Sequence, residues 1–463
     1  MYNNIAYMTA LQLLEAYRRQ ELSPVEVTKF MLARIEEVNP KINAVYYVVA
    51  ENALKEALAS EKRWKEGNPI GLLDGIPTTV KDALGTIGMP MYRGSAANEA
   101  EIATTDHSTV ARLKEHGAII LGKNTMCDYG ILGAGVSSKH GVTRNPWNLA
   151  HNTGASSSGA AATVAAGIGP ISIGTDIVGS IRLPASFCGL YGLKPSQGRV
   201  PYYFPNSPSL VAGPMTRTVD DAALMLTVLA QPDKRDYTAL PFDNIQYHKE
   251  LKPLDLLNKK ALFIPSLGFG PTLDLEVDLH IRDAVKDLKY EGLNVDILDT
   301  PPFKKDEYEA AEAFYKIRTL TEFQKLPTED LSKSNTIYNW TRDGVDMKAT
   351  DLYDAFNIIQ KLRERAMQLI HGYDFVLLPS TPIPSFEAEK AAPDETRLFD
   401  PWCYTFLFNL TEQPAASINC GFTKKGLPIG LQIVGNRFDD LGVLQLSKMY
   451  ENLRSEPIVY PKF

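Results

Sequence analysis

The chain has 463 residues, 44% of them hydrophobic and 22% charged, which is an ordinary globular composition. With a net charge of −7 and no basic patch, it is not expected to bind nucleic acid directly. No stretch approaches the roughly 20 apolar residues of a membrane span, and the N-terminus does not have the basic start of a signal peptide, so the sequence predicts a cytoplasmic protein that does not enter a membrane.

The first predicted element is a helix that begins at Ser23-Pro24-Val25-Glu26. Serine and glutamate at this spacing form a capping box, and proline is favoured at the first helical position. Apolar residues at 27, 31, 35 and 38 keep helical spacing, and Asn39-Pro40 is predicted to end the helix. The apolar run at 44–50 is compatible with a strand or a buried connection, and residues 52–66 return to a helical pattern.

Residues 71–214 are rich in Gly, Ser, Thr and Ala, and their short β-branched runs are predicted to be buried strands joined by glycine-containing loops. After them strands and helices alternate, which predicts an α/β fold with a covered sheet. The Pro- and Lys-rich stretch at about 232–256 is predicted to be a peripheral excursion. The predicted strands are 78–80, 118–121, 170–174, 260–265, 293–298, 373–379, 414–420 and 426–435. The later helices are predicted at 275–291, 306–326, 350–371 and 440–453.

Serines stand out in the middle of the chain. Residues 156–158 are three adjacent serines before a helix of small residues, and Ser180 follows a predicted strand at a tight turn. Backbone N–H groups in such a turn can converge on an oxyanion. By itself a Ser/Gly cluster is usually a loop, and a nucleophilic serine needs a base. His140 and His151 lie in polar loop sequence with nothing to distinguish them.

Lys81 is the alternative base. It directly follows the apolar run at 78–80, where burying an ammonium group is costly unless it is paired or neutral. Because desolvation lowers the pKa of lysine, a buried Lys81 would be able to act as a base. The competing interpretation is a surface ion pair between Lys81 and Asp82, and the local sequence leaves both open.

These residues belong to a series of six short segments that together span most of the length of the chain: GIPTTVKDALGT (75–86), GVTRNPWN (141–148), TGASSSGAAATVAAG (153–167), GTDIVGSIRLPASFCGLYGLKPSQGRV (174–200), GPMTRTVDDAA (213–223) and GLPIGLQIVG (426–435). In their order and spacing they resemble the amidase signature family. The resemblance implies an α/β amidase signature fold, with a large mixed β-sheet covered by helices on both faces. It also implies a single domain over residues 1–463 whose signature core is at about 71–214.

The resemblance assigns a catalytic triad. Ser180 matches the nucleophile, Lys81 matches the base, and Ser156 matches a bridging serine that follows a cis peptide bond, here Ala155–Ser156. The family reaction is hydrolysis of a carboxylic amide through a seryl acyl-enzyme, which releases a carboxylate and ammonia or an amine. Ser157 and Ser158 are expected to support the triad by hydrogen bonds.

The resemblance also assigns the loop around the nucleophile. Asp176 and Arg182 match residues that support the loop, and two positions depart from the family pattern, because Ala155 and Val178 replace glycines. Valine disfavours positive φ, so either Val178 is tolerated at negative φ or the loop is reshaped. The oxyanion hole is expected to be the backbone N–H groups of Ile177, Val178, Gly179 and Ser180.

A further segment, at residues 124–130, matches a family loop beside the acyl pocket. Met126, Cys127 and Tyr129 in this segment suggest an apolar, polarizable pocket wall, although packing of the loop would explain them equally well. The expected ligand is a small-molecule amide, and a homodimer is left open. The resemblance extends to an alternative function, that of the glutamine-hydrolysing A subunit of an amidotransferase, which acts with partner subunits on misacylated tRNA.

Neither a metal nor an organic cofactor is expected. The four cysteines, Cys127, Cys188, Cys403 and Cys420, form no C-x-x-C pair, and no cluster of His, Cys and carboxylates has the spacing of metal ligands. A degenerate, non-catalytic scaffold is a third possibility for the chain, but the full set of triad side chains argues against it.

Overall fold

A computed structural model describes residues 5–203, 209–454 and 457–463 of the chain. Over this part, no helix is both long and apolar enough to cross a lipid bilayer. The α-helices are α1 (Ala10–Arg18), α2 (Pro24–Ile42), α3 (Ala50–Lys65), α4 (Ser108–Glu115), α5 (Ser158–Ala165), α6 (Arg182–Phe187), α7 (Val219–Leu229), α8 (Leu275–Tyr290), α9 (Lys305–Phe323), α10 (Thr328–Leu331), α11 (Asn335–Thr341), α12 (Ala349–Leu369), α13 (Phe406–Leu410) and α14 (Asp440–Leu453).

The strands belong to one large sheet and three small hairpin-like pairs, β3–β4, β6–β7 and β8–β9. They are β1 (Val45–Val48), β2 (Pro77–Lys81), β3 (Pro90–Met91), β4 (Glu101–Ile102), β5 (Ile119–Asn124), β6 (Val136–Ser137), β7 (Gly141–Val142), β8 (Arg144–Asn145), β9 (Asn148–Asn152), β10 (Ile171–Asp176), β11 (Tyr191–Lys194), β12 (Val211–Thr216), β13 (Lys260–Phe263), β14 (Asn294–Ile297), β15 (Phe375–Pro379), β16 (Ala415–Phe422) and β17 (Pro428–Gly435).

The large sheet contains eleven of the described strands, in the order β1-β5-β2-β10-β12-β11-β16-β17-β15-β13-β14. It is mixed, because β5, β2 and β10 run parallel to one another while β10, β12, β11, β16, β17 and β15 alternate in direction. Helices α5, α6, α7, α8 and α14 pack against it. The predicted α/β fold with a covered mixed sheet is therefore confirmed.

The order of the strands divides the large sheet into two halves, each formed by a continuous part of the chain. Strands from residues 45–216 form one side of the sheet and strands from residues 260–435 form the other. The halves join at a single strand pair, β11 with β16, where Gly192 lies opposite Ser417. Residues 231–255, which include all of the predicted excursion except Leu256, connect the halves without a helix or strand.

The predicted end of the second helix is wrong. Helix α2 begins at Pro24 behind the capping box of Ser23, as predicted, but it continues through Pro40 to Ile42. Proline removes one backbone hydrogen bond from a helix, and burial of Ile42 in the core offsets this loss. The apolar run at 44–50, for which two interpretations were open, forms strand β1 and then enters α3.

The parallel strands determine where the candidate site lies. Since β2, β5 and β10 are adjacent and parallel, their carboxyl ends meet at one edge of the sheet. Lys81 is the last residue of β2 and lies opposite Asn124, the last residue of β5. Asp176 ends β10, and the loop that carries Ser180 follows it directly.

Candidate active site

Lys81 is fully buried at the carboxyl end of β2 and contacts three hydroxyl groups. Its Nζ atom lies 2.8 Å from Ser156 Oγ, 2.9 Å from Ser157 Oγ and 2.8 Å from Thr175 Oγ1. Thr175 was not identified from the sequence, although it stands next to Asp176 in the nucleophile segment. Because all three partners are neutral, the described residues give the ammonium form of Lys81 no directly bound counter-charge.

The hydrogen bonds of Ser157 indicate how protons are arranged around Lys81. The Ser157 hydroxyl donates to the carbonyl of Thr175 at 3.3 Å, so its oxygen is an acceptor toward Lys81. A neutral lysine amine has two N–H groups and one lone pair. If the N–H groups point to Ser157 and Thr175, the lone pair faces Ser156 and can accept its proton.

The electrostatic surroundings favour the neutral form of Lys81. Burial lowers the pKa of Lys81 from its ordinary value of 10.5 to about 7, against the weaker opposing effect of the Asp176 and Asp82 carboxylates. A group with this pKa is substantially neutral at physiological pH, which is what a general base requires.

A surface ion pair between Lys81 and Asp82 is not present. Both side chains are fully buried, and Asp82 accepts hydrogen bonds from the hydroxyl of Tyr46 at 2.7 Å and from the backbone N–H groups of Tyr92 and Gly94 at 2.8 and 2.7 Å. Although burial alone would raise it, hydrogen bonds from His140 and Tyr46 hold the pKa of Asp82 below its usual range. Asp82 is therefore an anion that holds the backbone of the loop at residues 92–94 in place.

Ser156 and Ser180 line a common cavity of about 400 Å³. The peptide bond Ala155–Ser156 is cis, as the resemblance predicted. Ser180 is buried, and its Oγ atom has no hydrogen-bond partner among the described residues. The structure thus brings Lys81 and Ser156 into direct contact and places the Ser180 hydroxyl in the same cavity without a bond to Ser156.

The loop before Ser180 has the sharp turn that a nucleophile requires. Gly179 has φ +135°, and a Cβ atom at this position would lie 2.0 Å from Thr405 Oγ1, so glycine is required there. Val178 is not among the residues with positive φ, which shows that this position tolerates negative φ. The Thr405 hydroxyl donates to the carbonyl of Val178 at 2.6 Å and fixes the turn.

One of the four expected oxyanion-hole donors is engaged elsewhere. The N–H group of Gly179 donates to Asp176 Oδ1 at 2.7 Å. For Ile177, Val178 and Ser180, the hydrogen bonds found in the described part of the chain include none donated by their backbone N–H groups. These three groups remain available to a ligand.

Asp176 and Arg182 form a fully buried ion pair beneath this loop. Arg182 donates to both carboxylate oxygens at 3.0 Å, to the carbonyl of Thr405 at 2.8 Å and to Gln432 Oε1 at 2.7 Å. Burial alone would raise the pKa of Asp176, but the charge and hydrogen bonds of Arg182 hold it at about 2. The stabilising contribution of Asp176 is therefore complete above its unfolded pKa of about 3.9 and is lost as the pH falls through about 2.

We expect Arg182→Met to lower the free energy of unfolding by about 3–5 kcal/mol, because it leaves the buried Asp176 carboxylate without its counter-charge. Urea unfolding at pH 7 measures this change. The control is Arg18→Met, which removes an exposed ion pair with Glu15 and should have no measurable effect. Equal midpoints for both variants would show that the buried pair does not hold the loop.

The expected pocket wall is only partly formed as predicted. Met126 and Tyr129 line the cavity. Cys127 does not line it, because its thiol is fully buried and points to the carbonyl of Leu132 at 3.2 Å. Burial raises the pKa of Cys127 to about 12. Ser158 is also turned away from Lys81 and donates to the carbonyl of Thr125 at 3.4 Å.

The cavity also has charged lining residues that no local pattern indicated. They are Arg93, Glu101, Arg318, Glu322 and Lys325. Arg93 and Glu322 form an ion pair at 3.3 Å although 229 residues separate them in the chain. Within residues 5–203, 209–454 and 457–463, no group of three or more His, Cys, Asp or Glu side chains is placed to hold a metal ion.

Comparisons with known proteins give a consistent result. A family model described as Amidase matches residues 26–444. The A subunit of the glutamyl-tRNA(Gln) amidotransferase of Myxococcus xanthus is 33% identical over 476 residues, covering 96% of each chain, and the same-named protein of Geobacter metallireducens is 34% identical with the same coverage. A bacterial aryl acylamidase of the amidase signature family superposes with a TM-score of 0.90 at 29% identity, over 97% of each chain. The peptide amidase of Stenotrophomonas maltophilia gives a TM-score of 0.80 at 26% identity, over 99% of each chain.

Proposed function

Because this chain belongs to the amidase signature family, we propose that it hydrolyses carboxylic amides through an acyl-enzyme on Ser180. The observation that carries the proposal is the 2.8 Å contact between Lys81 Nζ and Ser156 Oγ, with both groups buried beside the cavity that contains Ser180. A base, a hydroxyl that can relay a proton and a hydroxyl without a partner are the groups that acyl transfer needs.

The reaction proceeds in two stages. Neutral Lys81 accepts the Ser156 proton as Ser156 accepts the Ser180 proton, and Ser180 Oγ attacks the amide carbonyl carbon. The proton returns through Ser156 to the amide nitrogen, the C–N bond breaks, and ammonia or an amine leaves. Water then attacks the seryl ester with the same proton relay, which releases the carboxylate and restores Ser180.

The negative charge on the tetrahedral intermediate needs donors within hydrogen-bond distance. We assign this role to the backbone N–H groups of Ile177, Val178 and Ser180. The N–H group of Gly179 is bound to Asp176 and so supports the turn instead. Fixed donors of this kind stabilise developing charge without reorganisation during the reaction.

We expect the isolated chain to release ammonia from primary amides or an amine from anilides. A panel of aliphatic, aryl and amino-acid amides, assayed with ammonia and amine detection, measures this activity and ranks the substrates. A fluorophosphonate probe should label Ser180 at the same time, which is checked by peptide mapping. A folded protein that releases nothing from any amide and is not labelled at Ser180 would refute the proposal.

A second candidate is supported by the curated relatives. Those at 33–34% identity over more than 90% of both chains are named as the A subunit of glutamyl-tRNA(Gln) amidotransferase. If this chain has that function, glutamine should be its amide substrate, and hydrolysis should rise when partner subunits and misacylated tRNA are added. Turnover of simple amides by the isolated chain, without a response to these additions, favours the amidase.

A further inference from the structure

Arg93 lies in the cavity on a loop whose backbone is fixed on both sides. The buried Asp82 carboxylate accepts the N–H groups of Tyr92 and Gly94, and the carbonyl of Arg93 accepts the N–H group of Tyr129 at 2.8 Å. Arg93 has φ +51°, a conformation that costs a non-glycine residue free energy. A Cβ atom on Gly94 would lie 2.3 Å from the carbonyl oxygen of Cys127, so the chain is closely packed there.

The side chain of Arg93 is held in place by two contacts, but most of its hydrogen-bond donors have no partner among the described residues. Its guanidinium lies 5.3 Å from the centre of the Tyr129 ring, which stabilises a cation by its negative face. Among the described residues, its one side-chain hydrogen bond runs from Nη1 to Glu322 Oε2 at 3.3 Å. A guanidinium has five N–H donors, so most of the donors of Arg93 are available in the cavity.

The described residues that line the cavity include charged groups of both signs. The described lining residues include the cations Arg93, Arg318 and Lys325 and the carboxylates Glu101 and Glu322. Lys325 and Glu101 are largely exposed to solvent, where their fields are screened. Among the described lining residues, the more enclosed charges are those of Arg93, Arg318 and Glu322, and they lie in the same cavity as the hydroxyl of Ser180. Glu322 contacts Arg93 at 3.3 Å and Lys325 at 3.6 Å.

We propose that Arg93 selects the substrate by binding a carboxylate, so that the preferred substrates are amides that carry a second, anionic group. A carboxylate matches the guanidinium because the two can form paired, parallel hydrogen bonds. Glu322 orients Arg93 and repels the incoming carboxylate, which moderates the affinity. Measuring this preference by turnover requires that the proposed amide hydrolysis is correct, but binding of the carboxylate by Arg93 does not.

The test compares two amides of equal chain length. Adipamate has a carboxylate where hexanamide has a methyl group, and each has one primary amide. We expect a kcat/KM ratio of adipamate to hexanamide of about 10 or more, because the half-buried Arg93 guanidinium can form charge-assisted hydrogen bonds with the carboxylate of adipamate but not with the methyl group of hexanamide. Succinamate, glutaramate, pimelamate and suberamate, each compared with its neutral analogue, identify the length at which the ratio is largest.

Two variants move this ratio in opposite directions. Arg93→Gln should lower it by about 10-fold, through a higher KM for adipamate with kcat little changed, since it removes binding common to ground and transition states. Glu322→Gln should raise the ratio, because the repelling carboxylate is lost. Lys305→Gln is the matched control: Lys305 lies on the same helix as Glu322 but does not line the cavity and pairs with the exposed Glu309, so this variant should change the ratio less than about twofold.

Binding to the Ser180→Ala protein separates this inference from the proposed reaction. Calorimetry should show that adipamate binds more tightly than hexanamide and that adding Arg93→Gln removes the difference. If this holds while no amide is hydrolysed, the proposed function fails and the carboxylate site stands. Equal binding of the two amides at every length, or a ratio that Arg93→Gln leaves unchanged, would overturn the role of Arg93.

Discussion

Ser180→Ala should lower kcat by at least about 10³-fold, because in the proposed mechanism the Ser180 oxygen forms the acyl-enzyme. The variant should nevertheless be as stable as the wild type. The Ser180 hydroxyl has no hydrogen-bond partner among the described residues, so its removal leaves no buried group unsatisfied. Initial-rate assays on the best amide of the panel, together with urea unfolding, measure both quantities.

Ser447→Ala is the matched control. Ser447 is also buried, but it lies on α14 and donates to the carbonyl of Val443. This variant should keep its activity and its labelling by fluorophosphonate, whereas Ser180→Ala should lose both. Normal turnover in Ser180→Ala, or labelling that maps to another serine, would remove Ser180 from the mechanism.

The second large effect concerns Lys81. If the neutral amine is the base, kcat/KM should rise about tenfold per pH unit below the pKa of about 7 and level off above it. Lys81→Ala should remove most of the rate together with this ionisation. Lys81→Arg should not restore it, because a guanidinium does not give up its proton in this range. The pH–rate profiles of the three proteins measure these effects.

Lys81→Met separates loss of the base from loss of the fold, because it removes the amine while keeping most of the side-chain volume, and its stability can be compared with that of the wild type across the pH range. The pKa of Lys81 is lower in the folded than in the unfolded chain, so between about pH 7 and 10.4 the unfolded state binds more protons. Wild-type stability therefore rises with pH across this window, and Lys81→Met should remove this pH dependence, which urea unfolding at pH 7 and at about pH 10 measures. A substantially active Lys81→Arg enzyme would exclude lysine as the base.

The sequence predicted the parts of the site that lie close together in the chain or follow a strand directly. Local patterns drew attention to Lys81, at the end of an apolar run, and to serines among glycines, but they left the roles of these residues open, and the resemblance to the amidase signature family assigned the triad. Strand and helix periodicity predicted the α/β class for the same local reason. The end of α2 was missed because burial of Ile42, a tertiary contact, overrides the local effect of Pro40.

What could not be predicted depends on contacts between distant segments. Arg182 is held by Thr405 and Gln432, which are 223 and 250 residues away and show no local sign of this role. The same holds for the pairing of Arg93 with Glu322. Cys127 was assigned to the pocket because residue type alone does not tell which way a side chain points in a loop.

The division of the sheet into two contiguous halves has a consequence for synthesis on the ribosome. All three side chains of the proposed triad belong to the first half, yet Thr405 and Gln432, which hydrogen-bond to Val178 and Arg182 around the proposed nucleophile, belong to the second. Until β16 has been made, β11 has no partner strand on one side, although all its residues are buried in the finished fold. An unpaired strand edge of this kind promotes aggregation. The proposed triad is therefore complete in the nascent chain before the residues that hold the turn at Ser180 are made, and the edge of β11 is the surface that we expect to need protection in that interval.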